Sequence, residues 1–184
     1  MDIQFVPEEQ LKKYAHLLDR AKEITQAEAS QQDFVEYTQT VWPEFINGRH
    51  HKIMAEKFNR IANGDLKRLI VNMPPRHTKS EFGSYLLPSW LMGKNPRLKI
   101  MQTYFAAGVG GAITGRGADL LIIDDPHSEQ DALSPTALEH AYEWYTSGPR
   151  QRLQPGGAIV IIMTRWADND LTGKLIKQQG RDIL

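Results

Sequence analysis

Lys79 and Ser80 close a polar turn, Met73-Pro-Pro-Arg-His-Thr-Lys-Ser80, that follows the strand-like apolar run Leu69-Ile-Val71 almost at once. A lysine and a hydroxyl placed after a strand, where a helix begins, are what phosphate binding needs. Backbone N–H groups and the helix N-terminus wrap the β-phosphate, the lysine reaches the β and γ oxygens, and the serine hydroxyl holds Mg²⁺. The match to G-x-x-x-x-G-K-[ST] is incomplete. Met73 and Thr78 stand where the two glycines belong, and Pro74-Pro75 bring rigidity where glycine freedom is usual. Alone, these residues equally describe a strand-to-helix turn with a solvated lysine.

A second constellation tips the balance. Ala118-Asp-Leu-Leu-Ile-Ile-Asp-Asp125 is an apolar run ending in two adjacent carboxylates. A parallel strand buried on both faces reads as a continuous apolar run, and acids at its C-terminal end sit where open α/β sheets bind ligands. Asp124 is then placed to hold Mg²⁺ directly or through water, and Asp125 to orient or deprotonate an attacking water. The competing reading is an Asx-turn ahead of Pro126. A third run, Pro155-Gly-Gly-Ala-Ile-Val-Ile-Ile-Met-Thr-Arg-Trp166, ends in Thr164 and Arg165. A hydroxyl there can sense the γ-phosphate, although a threonine after a strand is usually only a strand end.

The elements that must position these groups are legible from periodicity. Leu11, Tyr14, Leu17, Leu18 and Ala21 predict a helix from Pro7 to about Glu28. A second is predicted from Gln32 to Val41, before Pro43, and a third from Lys52 to Asn63, with Gly64 as its C-terminal cap. Glu81 to about Met92 reads as the helix whose N-terminus faces phosphate. Its predicted buried side is Phe82, Tyr85, Leu86 and Trp90, and Pro88 kinks or ends it. Leu98–Thr103 reads as a strand. Gly108, Gly110, Gly111, Gly115 and Gly117 lead into a strand rather than a helix, which excludes a dinucleotide fingerprint. They read as a close-packed approach to the acidic strand, with Arg116 a candidate phosphate or neighbouring-subunit contact. Ser134-Pro135 opens a helix reaching Tyr145, in which Trp144 and Tyr145 read as core or interface residues, with core the default. Arg150 and Arg152 read either as solvated residues or as arginines offered to a neighbouring subunit.

Composition sets the outer bounds. A chain of 184 residues with 41% apolar residues can build one ordinary core, and its formal net charge of zero gives no basic tail for tight electrostatic contact with nucleic acid. The absence of cysteine excludes a disulfide scaffold and thiolate metal sites. No run approaches membrane-spanning length, the N-terminus lacks signal-peptide order, and no His-x-x-x-His spacing suggests zinc.

Taken together, Val41-Trp-Pro-Glu-Phe-Ile-Asn-Gly-Arg-His-His51, Pro74-Pro-Arg-His-Thr-Lys-Ser80, Gly115-Arg-Gly-Ala-Asp119 and Thr164-Arg-Trp166 resemble the ATPase domain of the large terminase subunit of tailed bacteriophages. The resemblance implies an α/β P-loop NTPase of the additional-strand type. Its sheet is mostly parallel with helices on both faces, preceded by an N-terminal helical segment. Residues 1–63 would lead into a core over 64–184. ATP and Mg²⁺ are the implied cofactors. Pro75, Arg76, His77, Thr78, Lys79 and Ser80 would form the nucleotide loop, with His50 at adenine and Arg76 neutralising the γ-phosphate. Asp125, Arg76 and Lys79 would carry catalysis, Ser80 and Asp124 would hold the metal, and Thr164 and Arg165 would couple hydrolysis to motion.

The implied partners are double-stranded viral DNA, the portal protein, the small terminase subunit and further copies in a ring. The expected location is the host cytoplasm, docked transiently on the procapsid portal, with no membrane. Two departures from the family are expected: no nuclease domain follows, and a segment near Thr103 and Tyr104 is shortened. The alternatives are an impaired remnant that only binds nucleotide or a partner, and a helicase-like ATPase.

Overall fold

The computed structural model describes residues 8–104 and 117–179. Two compact units divide between Asn47 and Gly48. The first holds α1 (Glu8–Gln32) and α2 (Phe34–Val41). α1 runs past Glu28 because nothing breaks it before Asp33, and that residue starts the next helix. The Asp33 carboxylate accepts from the N–H groups of Val35 (2.8 Å) and Glu36 (3.1 Å), satisfying donors that a helix start leaves open.

The second unit begins with α3 (Arg49–Ala62), which therefore groups with the sheet rather than with the N-terminal helices. Gly64 follows it at φ +82°, a left-handed position that suits glycine after a helix. Then come β1 (Arg68–Asn72), a π-helical turn (Glu81–Leu86) running into α4 (Leu87–Lys94), and β2 (Ile100–Tyr104). β3 (Ala118–Asp124), α5 (Pro135–Ser147), β4 (Leu153–Met163) and α6 (Leu171–Gln179) complete it. β2 passes through Thr103 and Tyr104 unbroken, pairing them with Ile123 and Asp124. The glycine-rich stretch before Gly117, with Arg116, lies outside the described residues.

Among the described residues all pairings are parallel, and the strand order is β1-β4-β3-β2. β4 lies between the strands leading to Lys79 and Asp124, with Ile161 opposite both Ile70 of β1 and Ile123 of β3. The two central strands are buried on both faces, which is why they carry apolar runs without alternation.

On one face Leu121, Ile123, Ile159, Ile161 and Met163 pack with Tyr145 of α5 and with Leu171 and Leu175 of α6. The π-helical turn covers the other face closely. A Cβ at Gly83 would lie 2.2 Å from Ile162 Cδ1, and the Phe82 ring packs tilted against Phe58 of α3 with centroids 5.9 Å apart. Helices thus cover both faces.

Pro88 was expected to kink or end the helix after the loop. Instead the wider π-helical turn ends before it, and Pro88 falls in the first turn of α4, where its missing N–H costs nothing. The extra residue in that turn rotates the buried face. Leu87 is fully buried and Tyr85, expected inside, is 62% exposed.

Just past β3, the buried His127 accepts the Leu171 N–H at 2.9 Å through Nε2 and so caps α6. Burial lowers its pKa first of all, with Lys174 acting in the same direction and Asp170 and Asp131 opposing. The folded chain therefore favours the neutral imidazole. Stability from this group is fully present above the ordinary histidine range and is lost as pH falls through that range to the depressed value. The thermal midpoint is expected to drop between pH 7 and pH 5, and His127→Gln, whose amide oxygen can still accept, should flatten that slope. An unchanged slope in the variant would assign the acid sensitivity elsewhere.

Candidate functional site

β1, β3 and β4 all end on the same side of the sheet, and the loops that follow them converge there. This is where open parallel sheets bind ligands. Between Asn72 and the π-helical turn, Arg76 (φ +64°) and Thr78 (φ +55°) adopt left-handed backbone, and Asp125 does so (φ +42°) directly after β3. Each costs about 1–3 kcal/mol for a residue other than glycine, and such strain persists where surrounding structure enforces it. All three left-handed non-glycine residues among the described ones lie in these two loops. Alternation of right- and left-handed backbone turns successive N–H groups inward, the concavity that receives anions.

The side chains form two hydrogen-bonded sets, one on each of the adjacent acids. Lys79, only 6% exposed, donates from Nζ to Asp125 Oδ2 at 2.9 Å. The other oxygen, Oδ1, accepts the Thr164 N–H at 3.0 Å, and the Thr164 hydroxyl donates to the Met73 carbonyl at 3.2 Å. The end of β4 thus bridges the loop and the second acid. Asp124 is 1% exposed and accepts from Ser80 Oγ at 3.1 Å and from Ser84 Oγ at 2.8 Å. Burial raises its pKa, with the charge of Asp125 adding to the rise, while the two serine hydroxyls and Lys79 pull the other way. A buried carboxylate held beside a serine hydroxyl offers hard oxygen donors of the kind Mg²⁺ takes, and its incompletely compensated charge favours a cation there. Ser80 and Asp124 therefore fit the metal.

The remaining candidates are distributed around these two sets. Arg76 and His77 are exposed on the loop with Pro75, whose carbonyl accepts from His77 Nδ1 at 2.9 Å. The His50 ring lies 5.9 Å from that of His77 and 3.8 Å from that of His51, at the loop's edge, and its Nε2 is buried with no hydrogen-bond partner among the described residues. Arg165 is engaged differently from Thr164. Its Nε donates to the fully buried Asp170 at 2.8 Å and Nη2 to the Ala167 carbonyl at 3.1 Å, so in this structure it braces the start of α6. Arg150 and Arg152 precede β4 and so lie toward the opposite end of the sheet. A cavity of about 300 Å³ opens at that opposite end too, lined by Ile61, Lys67, Leu91, Lys94, Asp119 and Gly157, away from the acidic pair.

Two contributors escape a reading by motif. Ser84 bonds the metal-side acid, and the signal available was its spacing of four from Ser80 on a helix start. His51 places Nε2 2.5 Å from Thr78 Oγ1. Only the non-glycine Thr78 hinted that a brace was needed.

No protein-family model and no curated protein matches the chain. Solved structures do. AMPPCP-bound DnaA from Aquifex aeolicus superposes with a TM-score of 0.51 at 11% identity, covering 82% of this chain and 48% of that one. Domain III of the replication initiation protein DnaA from Thermotoga maritima gives 0.48 at 16% identity, covering 66% of this chain and 54% of that one. This chain thus spans about half the length of the structures it matches. At such identities the likeness is one of fold. The chain has an α/β P-loop NTPase fold, with a parallel four-stranded sheet between helices.

Proposed function

We propose that this chain is the ATP-hydrolysing motor domain of a viral DNA-packaging terminase, driving DNA into the procapsid. The observation that carries the ATPase part is a pair of hydrogen-bonded sets on adjacent acids, Lys79 and Thr164 on Asp125 and Ser80 on Asp124, at the C-terminal ends of three parallel strands. The terminase part rests on the resemblance of Pro74–Ser80, Gly115–Asp119 and Thr164–Trp166 to that family. Double-stranded DNA, the portal protein, the small terminase subunit and further copies of the chain are the proposed partners, at the procapsid portal in the host cytoplasm. No described helix is long and apolar enough to cross a membrane.

In this reading the bonds on Asp125 must change when nucleotide arrives. Lys79 is held by Asp125, so an incoming phosphate competes for the ammonium. Transfer of Lys79 to the β and γ oxygens frees Asp125 Oδ2, which can then accept a proton from a water aligned with the γ-phosphate. Thr164, bound to both Asp125 and Met73, feels that release and relays it to the end of β4. Arg76, on the exposed loop, neutralises charge on the γ-phosphate from outside. When bound by Ser80 and Asp124, Mg²⁺ supplies further charge neutralisation at the β and γ oxygens.

A second reading, a module that binds nucleotide without turnover, is favoured by one feature: both oxygens of Asp125 are already engaged. A coupled ATPase assay with and without linear double-stranded DNA separates the two. Hydrolysis stimulated by DNA is the expected result. Binding without hydrolysis in either condition selects the second reading, and hydrolysis indifferent to DNA contradicts the packaging role.

A further inference from the structure

Thr78 stands where the phosphate-loop motif has its second glycine, and its φ of +55° is a conformation that β-branched residues rarely adopt. Something must hold it there. Thr78 Oγ1 donates to the His77 carbonyl at 2.7 Å and lies 2.5 Å from His51 Nε2. The direction of the second bond is fixed from the far side of the imidazole. The Gly48 N–H donates to His51 Nδ1 at 3.0 Å, so Nδ1 carries no proton and the neutral ring bears its hydrogen on Nε2. Nε2 is therefore the donor and the threonine oxygen the acceptor, which leaves the hydroxyl hydrogen for His77. His51 is 5% exposed and its ring packs 5.1 Å from Phe82 of the π-helical turn. One buried side chain thus ties the start of α3, the loop and the turn after it.

Building on the phosphate-site reading above, we propose that His51 is a positioning residue of the nucleotide loop. Through its bond to Thr78 it fixes the left-handed backbone that glycine would adopt unaided. Replacement of the missing glycine by a histidine clamp makes the two positions interdependent. In a Thr78→Gly chain the loop has no steric cost to overcome and no hydroxyl for His51 to hold, so the clamp becomes dispensable.

The test is a double-mutant cycle on the full chain, read by calorimetric titration with a non-hydrolysable ATP analogue and Mg²⁺. His51→Ala is expected to weaken binding about tenfold in the wild-type background and less than about threefold in the Thr78→Gly background. His51→Gln, whose amide can reach the Thr78 hydroxyl, should recover most of the loss. Equal losses in both backgrounds would overturn the clamp. Failure of the wild-type chain to bind the analogue would instead strike the proposed function, and the clamp is then decided by thermal midpoint. His51→Ala must lower it more in the wild-type background than in the Thr78→Gly background, and equal lowering again overturns the inference.

Discussion

Lys79→Ala is expected to weaken binding of an ATP analogue by roughly a hundredfold while the chain stays folded. A hydrogen bond to a charged group contributes about 1.5–3 kcal/mol, and a lysine spanning β and γ oxygens makes more than one. At about 1.4 kcal/mol per factor of ten, two such contacts account for two orders of magnitude. The effect on folding is smaller. The Asp125 side chain is 43% exposed and keeps its bond from the Thr164 N–H, so removal of the buried ammonium leaves a carboxylate that water reaches rather than an unpaired charge in the interior. Affinity and stability therefore separate in this variant. A wild-type chain that binds the analogue, and a Lys79→Ala chain that binds it equally well, would show that the loop does not hold phosphate.

The two acids are expected to fail in different ways. Asp124→Asn should remove the Mg²⁺ dependence of binding, because it deletes the charge beside the Ser80 hydroxyl. The same change should not harm the empty fold. Burial raises the Asp124 pKa, so the folded chain holds that proton more tightly than the unfolded one. Stability falls as pH rises from the ordinary carboxylate value to the raised one and stays lower above it. An asparagine carries no such cost, and each 1 kcal/mol recovered lifts the thermal midpoint by roughly 2–4 °C in a chain of this size. Asp125→Asn should leave ATP bound and slow turnover by about 10²–10⁴-fold, the usual contribution of a positioned base. Binding that stays Mg²⁺-dependent in Asp124→Asn, or turnover that survives Asp125→Asn, would reverse the roles.

Much of the geometry of this candidate site is legible in the sequence. The apolar runs at Ala118–Ile123 and Ala158–Met163 announced parallel strands whose two faces do not meet water, and the shorter run at Leu69–Val71 a strand beside them. Their polar endings marked the ligand side. What local pattern could not show was the order of the strands. Nothing within β4 states that it lies between β1 and β3, since that depends on how the crossover helices pack. The π-helical turn was hidden for a related reason. One extra residue per turn is compensated by the packing of Gly83 on Ile162, a contact between segments far apart in sequence, so the helical period misassigned Tyr85 to the interior. The partner of Arg165 was hidden as well: Asp170, five residues on and fully buried, accepts from the guanidinium, a bond that position after β4 does not state.

The most direct test of nucleotide binding at this site is calorimetric titration of the purified wild-type chain with a non-hydrolysable ATP analogue, in Mg²⁺ and again in chelator. A Kd of about 1–100 μM in Mg²⁺, weakened at least about tenfold by the chelator, is the predicted result. No heat of binding up to about 1 mM analogue in Mg²⁺, from a chain that melts cooperatively, would contradict it.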